Sequence, residues 1–347
     1  MRVLLTGSAG FIGAAVADRL QAAGDEVVRV DLMIPQAHAP DAIPAPGTHR
    51  VDVRDGDALT PLLRGVDVVC HQAAMVGAGV RVADLPSYAS HNDLGTAVLL
   101  AAMHEAAVRR LVVASSMVVY GEGRYSCTRH GPRLPGARST AALDGGDFEN
   151  HCDVCAGVLR WETVDEDAPL DPRSSYAASK VATEHYVRAW ARQAAGAAVA
   201  LRYHNVYGPR MPRDTPYSGV AAMFRSAIEE GDPPNVFEDG GQMRDFVHVS
   251  DVARANVLSL RQVLDAPDES VATYNVCSGE PVPIVRVAEL VARGTGTDLA
   301  PVVSGRYRLG DVRHIVASPD RARRELGFVA DVRPEDGLPG FATAPLR

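Results

Sequence analysis

Of the 35 basic side chains in this 347-residue chain, one, Lys180, is lysine and the rest are arginine. Positive charge is not in excess either. The 43 acids outnumber the bases and leave a formal net charge of −8, which excludes the broad basic footprint of a nucleic-acid binder. Long apolar runs are missing, none approaching the ~20 residues that span a bilayer. The opening residues 1–7 hold too short an apolar stretch for a signal peptide. Cysteine is scarce, at five residues. That argues against a disulfide framework and for a reducing, cytoplasmic setting. Internal repeats and low-complexity tracts are absent. With 46% hydrophobic and 22% charged residues, the composition is that of an ordinary globular protein, which excludes disorder. Its length suits about two domains of ~150 residues.

The first third alternates short apolar runs with helical stretches. Strands are predicted over Val3–Thr6, Val27–Val30, Val66–His71, Leu111–Ser116 and Val199–Tyr203, with helices over Phe11–Ala23, Asn92–Ala107 and Ser174–Ala194. Uniformly apolar strands are expected where helices cover both faces of a parallel sheet. Residues 121–172 break the rhythm, being rich in Gly, Pro, Arg and Asp and holding three of the five cysteines. They read as an insertion between strand and helix. Beyond about residue 205 come proline-bearing loops (Pro209, Pro212, Pro216), a helix near 219–231 and short strands near 235–237 and 246–249, then a loosely held tail after Gly337.

Gly7-Ser8-Ala9-Gly10-Phe11-Ile12-Gly13 follows the first strand and opens the first helix. Glycines there allow a tight turn, close approach of backbone N–H groups to a pyrophosphate, and close helix–strand packing. Asp31 ends the second strand 18 residues beyond Gly13. A carboxylate at that point accepts hydrogen bonds from an adenosine ribose and repels a 2′-phosphate, favouring NAD over NADP.

Tyr176-Ala177-Ala178-Ser179-Lys180 sets a tyrosine and the sole lysine on one helix face. With ten tyrosines in the chain, chance would put one four residues before that lysine in roughly 3% of cases, far below the false-positive rate of a bare pattern match. The pairing has a chemical purpose. Bringing a phenol from a pKa near 10 to neutrality takes roughly 4 kcal/mol of differential stabilisation. A neighbouring ammonium and a positive nicotinamide ring favour the phenolate. An ammonium with a tunable pKa is what arginine cannot supply.

These motifs together resemble the extended branch of the short-chain dehydrogenase/reductases, the NAD-dependent nucleotide-sugar epimerases and dehydratases. The likeness spans roughly residues 1–330. It implies a Rossmann-type doubly wound parallel α/β sheet with a smaller, mixed α/β C-terminal substrate domain. The corresponding domains are 1–185, with the insertion 121–172, and 186–347, from which segments near 199–205 and 240–260 return to the first. It implies catalysis by Ser116, Tyr176 and Lys180, with Ser116 bridging the sugar hydroxyl. The implied NAD site comprises Gly7, Gly10, Phe11, Ile12, Gly13, Asp31, Leu32, Asp52, Val53, Gln72, Ala73, Ala74, Asn92, Tyr176, Lys180 and Tyr203. Arg202-Tyr203-His204-Asn205-Val206-Tyr207-Gly208 and Arg244-Asp245-Phe246-Val247-His248-Val249-Ser250-Asp251 resemble two family segments, and Arg308-Leu309-Gly310-Asp311 a third. Asn205, Arg244, Arg308 and Asp311, with Ser116, would bind a nucleoside-diphosphate sugar. Arginine suits the phosphate roles through its two-pronged hydrogen bonding.

Two positions narrow the reaction. In the family's 4,6-dehydratases the two residues after the serine resemble an Asp-Glu pair, and in the decarboxylases the second is Glu. Here they are Met117 and Val118, neither able to move a proton, which leaves oxidation and reduction at one carbon. The expected activity is a 4-epimerase with tightly held, recycled NAD. A UDP-glucose or UDP-N-acetylglucosamine 4-epimerase, a 4-ketoreductase and a non-catalytic NAD sensor stay open as alternatives. A homodimer through helices including that of Tyr176 is implied as well.

Within the insertion, Cys127-x2-His130 and Cys152-x2-Cys155 are two chelating pairs separated by 21 residues, the spacing of a structural zinc site. Gly131 and Gly157 permit the turns, and a metal would supply ordering energy that this apolar-poor loop lacks. The insertion resembles that of the dTDP-L-rhamnose 4-epimerase subgroup, which points to a dTDP-6-deoxyhexose.

Overall fold

A computed structural model describes every residue except 36, 39, 40, 78, 80, 214–218 and 347; Pro216 thus lies outside the described residues. The N-terminal part runs β1 (Arg2–Thr6), α1 (Phe11–Ala22), β2 (Glu26–Val30), α2 (Gly56–Leu59), β3 (Val68–His71), α3 (Leu85–Tyr88), α4 (Gly95–Glu105) and β4 (Arg110–Ser116). The insertion holds β5 (Arg124–Cys127), β6 (Gly131–Arg133), α5 (Thr140–Asp144) and β7 (Arg160–Glu162). Then follow α6 (Ser175–Gln193), β8 (Ala197–Tyr203), β9 (Asn205–Tyr207), α7 (Val220–Glu229), β10 (Asn235–Val236) and β11 (Met243–His248). The chain ends with α8 (Val249–Leu264), β12 (Val271–Val276), β13 (Pro281–Pro283), α9 (Ile284–Thr295), β14 (Val302–Val303), α10 (Asp320–Leu326) and α11 (Pro334–Phe341).

Six parallel strands in the order β12-β8-β4-β3-β1-β2 form the central sheet. Every residue of β3 and β8 is buried, because helices cover both faces. Val16, Leu20, Val252 and Leu260 of α1 and α8 close one face, and Leu99, Met103, Val187 and Trp190 of α4 and α6 close the other. Strand order reverses at β1, which has β2 on one side and β3 on the other. Ligands of open α/β sheets bind at such a switch point, beyond the carboxyl ends of the strands.

The smaller unit packs α7, α9 and α11 around β9, β11 and β13, with Phe224, Phe246, Leu290 and Phe341 in its core. Three expectations change here. The tail is not loose: Leu338 is fully buried and Phe341 nearly so, docked on α9. The 185/186 boundary falls inside α6, whose Val187, Trp190 and Ala191 lie in the central core. Segment 243–248 pairs with β9 and β13 rather than with the central sheet, while α8 and also β12 do pack on or join it. Among the described residues no helix is long and apolar enough to cross a membrane.

Candidate functional site

The turn from β1 to α1 builds a cradle. Gly7 has φ +66°, a left-handed conformation that favours glycine. A Cβ on Gly13 would lie 2.0 Å from the Gly7 carbonyl oxygen, and one on Gly7 would lie 2.7 Å from the Ala73 nitrogen. Only glycines let β1, α1 and the β3 exit come this close. Gly10 caps α1 with no side chain bonded to the first-turn N–H groups and no acid in that turn, which suits an anionic diphosphate. Gly7, Gly10, Phe11, Ile12, Gly13, Gln72 and Ala74 line one cavity together with Tyr176, Lys180, Tyr203 and Asn205. Asp31, Leu32, Asp52, Val53 and Ala73 line its continuation.

Asp31 accepts from the Ala9 nitrogen at 2.9 Å and the Met33 nitrogen at 2.8 Å, with His38 Nε2 at 3.4 Å. Burial works to raise its pKa, but His38 and the two amides win and hold it below the usual carboxylate value. Asp52 is clasped by Arg54, whose Nε stands 2.9 Å from Oδ1. Asn92 does not line either cavity. Its side chain bonds both backbone polar groups of Met75, at 2.7 and 2.9 Å, and Ser179 Oγ at 2.9 Å. It therefore positions the cavity wall and α6 rather than presenting its amide to a ligand.

Ser116, at the end of β4, stands beside the Tyr176 phenol and works to lower its pKa. One helical turn on, Lys180 Nζ donates to the Ala114 carbonyl at 2.9 Å and lies 5.9 Å from the Tyr176 ring centroid. The acidified phenol expected from the sequence is not present in the chain by itself. Burial pushes Tyr176 up to about 12 against the pull of Ser116, and burial pushes Lys180 down to about 8. Tyr88 packs 5.9 Å from the Tyr176 ring, and Gly79 presses on the start of α6, while the Tyr176 side chain stays half-buried and lines both cavities beside it. Beneath it, buried Glu184 holds Arg202 through two bonds of 2.9 and 2.7 Å and receives the Ser115 hydroxyl at 2.6 Å. Tyr176, Lys180 and Glu184 recur every four residues, a stripe that the sequence displays beyond the Tyr-Lys pair itself. Tyr88, His38 and Asn256, which bonds Gln72 and Tyr203, gave no local signal.

Met117 and Val118 face a cavity shared with Tyr176, Asp311, Val312 and Ile315. An adjoining cavity is lined by Asn205, Phe237, Arg244, Arg308 and Asp311. The Asn205 Oδ1 is buried with no hydrogen-bond partner, an acceptor waiting for a donor. Arg308 stacks on Phe237 at 5.0 Å. Arg244 reaches this cavity, but its Nη atoms donate to the carbonyls of Met243, Val312 and Arg313 at 2.7 to 2.9 Å. Much of its hydrogen-bonding capacity thus shapes the wall rather than standing free for phosphate. His204 is buried without a partner on either ring nitrogen, and burial pushes it down to about 3, so it is neutral.

The insertion brings its four predicted ligands together. The ligand atoms of Cys127, His130, Cys152 and Cys155 all lie within 4.8 Å of one another. Cys127 Sγ is 3.7 Å from Cys155 Sγ and 3.6 Å from His130 Nδ1, which is 3.4 Å from Cys152 Sγ. All five cysteines are free.

The sequence profile of the "NAD dependent epimerase/dehydratase family" matches residues 3–136 and 157–277. A dTDP-L-rhamnose 4-epimerase of Burkholderia thailandensis is 32% identical over 97% of this chain and 93% of its own length. Among solved structures, a UDP-glucose 4-epimerase of Thermus thermophilus in complex with NAD is 30% identical, with TM-score 0.76 and coverage of 99% and 98%. A UDP-glucose 4-epimerase of Thermotoga maritima with UDP-glucose is 27% identical, with TM-score 0.79 and coverage of 99% and 97%.

Proposed function

The chain belongs to the NAD dependent epimerase/dehydratase family, and on that premise we propose that it is an NAD-dependent nucleotide-sugar 4-epimerase. The observation that carries this reading is Tyr176, with Ser116 beside it, which lines the cradle cavity together with Lys180 and also the cavity walled by Met117 and Val118. A hydroxyl can be deprotonated there, while the two positions after Ser116 offer no acid or base for elimination. The glycine cradle and Asp31 would hold NAD, which would supply the hydride acceptor and donor and a positive ring charge. Tyr176 removes the C4 hydroxyl proton, relayed or steadied by Ser116, and later returns it. Lys180 carries the charge that favours the phenolate. Asn205, Arg244, Arg308 and Asp311 anchor the nucleoside diphosphate while the keto sugar turns. Purified protein given no added cofactor interconverts C4 epimers. A strict need for stoichiometric NADH or NADPH would make it a ketoreductase.

The substrate reading leans to dTDP-L-rhamnose or a related dTDP-6-deoxyhexose, supported by the likeness to the Burkholderia enzyme over nearly the whole chain. UDP-sugars are the second reading, supported by the solved neighbours that carry that specificity in their names. An NMR panel of dTDP- and UDP-sugars separates them. The working form is a cytoplasmic homodimer through α6 and its neighbours, where Leu94 and Tyr186 are exposed; light scattering tests this.

Cys127, His130, Cys152 and Cys155 hold a structural zinc. Tetrahedral bonds of about 2.3 Å to sulfur and 2.1 Å to nitrogen give edges near 3.8 Å (S···S) and 3.6 Å (S···N). Three spacings, 3.7, 3.6 and 3.4 Å, lie near these edges, and the 3.7 Å between Cys127 and Cys155 is far beyond the ~2.05 Å of a disulfide. Metal analysis of protein purified without metal-affinity steps should find about one equivalent.

A further inference from the structure

Resting on the zinc and nucleotide-sugar readings above, we infer that the metal-bearing insertion clamps segment 311–314 in its ligand-binding form, so that zinc occupancy sets the affinity for the nucleoside diphosphate. The link is short. Glu149 and Asn150 stand three and two residues before Cys152. The Glu149 carboxylate receives Arg313 Nη2 at 2.6 Å and Nε at 3.0 Å, and lies 3.1 Å from His314 Nε2. Asn150 Nδ2 donates to Glu122 Oε2 at 3.1 Å, and the same oxygen receives the Arg313 backbone nitrogen at 2.9 Å. Tyr125, two residues before Cys127, accepts the His314 nitrogen on its hydroxyl at 3.0 Å. Arg138, also from the insertion, donates to the Asp311 carbonyl and to Glu238 Oε1, both at 2.8 Å.

Segment 311–314 is therefore tied to the insertion on one side and to Arg244 on the other. Its Asp311 and Val312 line the cavity assigned to the nucleotide. Arg313 is buried, with Glu238 and Asp239 as further partners at 2.8 Å. Without Glu149, Arg313 keeps Glu238 and Asp239 but its Nε loses its acceptor and His314 Nε2 its partner, so residues 313 and 314 lose that tie to the insertion. Next to Glu149 the insertion buries Phe148, and Leu143 nearby, but around the metal ligands its apolar core is small. Tyr125, Cys127, Cys152 and Leu159 make up its buried cluster, and two of those four are ligands.

The test uses full-length protein and dTDP and UDP as probes. In Cys152→Ser/Cys155→Ser, metal content falls to zero and co-purifying NAD is unchanged, which reports an intact central sheet. The Kd for dTDP or UDP rises by about tenfold or more, and KM for the nucleotide sugar rises with a much smaller change in kcat. Glu149→Ala keeps the metal and the NAD yet weakens the nucleotide to a similar degree, an effect that a merely structural metal would not share. If the double variant loses metal and binds the nucleotide with wild-type affinity, the coupling is overturned and the zinc stands. Wild-type protein that holds no metal, and whose nucleotide affinity does not respond to added zinc ion, overturns both. Wild-type protein that binds neither nucleotide overturns the substrate reading on which the coupling rests.

Discussion

A phenol packed beside Tyr88 does not part with its proton easily, and the buried amine beside it holds one less tightly than usual. Burial drives Tyr176 up to about 12 and Lys180 down to about 8. Both move toward their neutral forms; at pH 7 Lys180 still keeps its proton, and it is the phenolate that forms only with a ligand's help. Tyr176→Phe removes the base and leaves the cradle untouched. It should lower kcat about 10³-fold with NAD content unchanged, as measured by nucleotide extraction. Lys180 adds a stability prediction. Its folded pKa, about 8, lies below the ordinary 10.5, so burial of the charged amine costs on the order of 3 kcal/mol. That cost is complete below pH 8, where folded and unfolded chains are both protonated. It fades between pH 8 and 10.5 as the folded lysine gives up its proton. Lys180→Met should therefore raise the melting temperature of NAD-free protein at pH 7, with the gain shrinking above pH 8, while turnover is lost. The identity of the pair is legible in the sequence because helical spacing is local. The direction of its pKa shifts is not, because Tyr88, Gly79 and Ala114 come from elsewhere in the chain.

The turn between β1 and α1 is the element on which NAD retention depends most directly. Gly13→Ala would set a methyl 2.0 Å from the Gly7 carbonyl oxygen, so the turn must open or α1 must shift. The expected result is loss of co-purifying NAD, with nucleotide binding in the smaller unit preserved, as measured by extraction and by dTDP titration. Wild-type NAD content in this variant would mean that the cradle does not hold the diphosphate. That turn, five of the six strands of the central sheet and the Cys/His pairs are legible because each rests on residues close together in sequence, whereas β12 is not among the predicted strands. The element α11 is not legible either. Pro339 and two glycines sit in Pro334–Phe341, so intrinsic propensity speaks against a helix. What forms it is tertiary: Leu338 and Phe341 fill the core beside Val287, Leu290 and Val291. Gly337 fits closely as well, since a Cβ there would meet the Tyr207 hydroxyl at 2.0 Å. Asn92 went astray for a related reason. Its type suits a ligand contact, but its partners, Met75 and Ser179, come from two other elements.

At the scale of the molecule the two units have separate cores and a shared backbone. From β8 in the central sheet the chain leaves to β9, α7 and β11, returns as α8 and β12, leaves again through β13 and α9, and returns as α10, whose Ala322 and Leu326 pack in the central core. It ends in α11, within the smaller core. Releasing the smaller unit therefore strains α8 and β12 at their ends. The buried Arg202–Glu184 pair couples further, because Arg202 also donates to the Tyr120 hydroxyl at 2.7 Å, and that hydroxyl bonds Asn275 on β12 at 2.7 Å. Two compact units joined by a single linker can melt separately, since their interface is the only coupling between them. This weave predicts one calorimetric transition whose van't Hoff and measured enthalpies agree, despite a length at which two-state behaviour often fails. Nucleotide bound in the smaller unit should shift that whole transition upward, including the signal from Trp190 in the central core. Two resolved transitions, with dTDP moving only one, would show that the repeated crossings do not bind the units into one cooperative body.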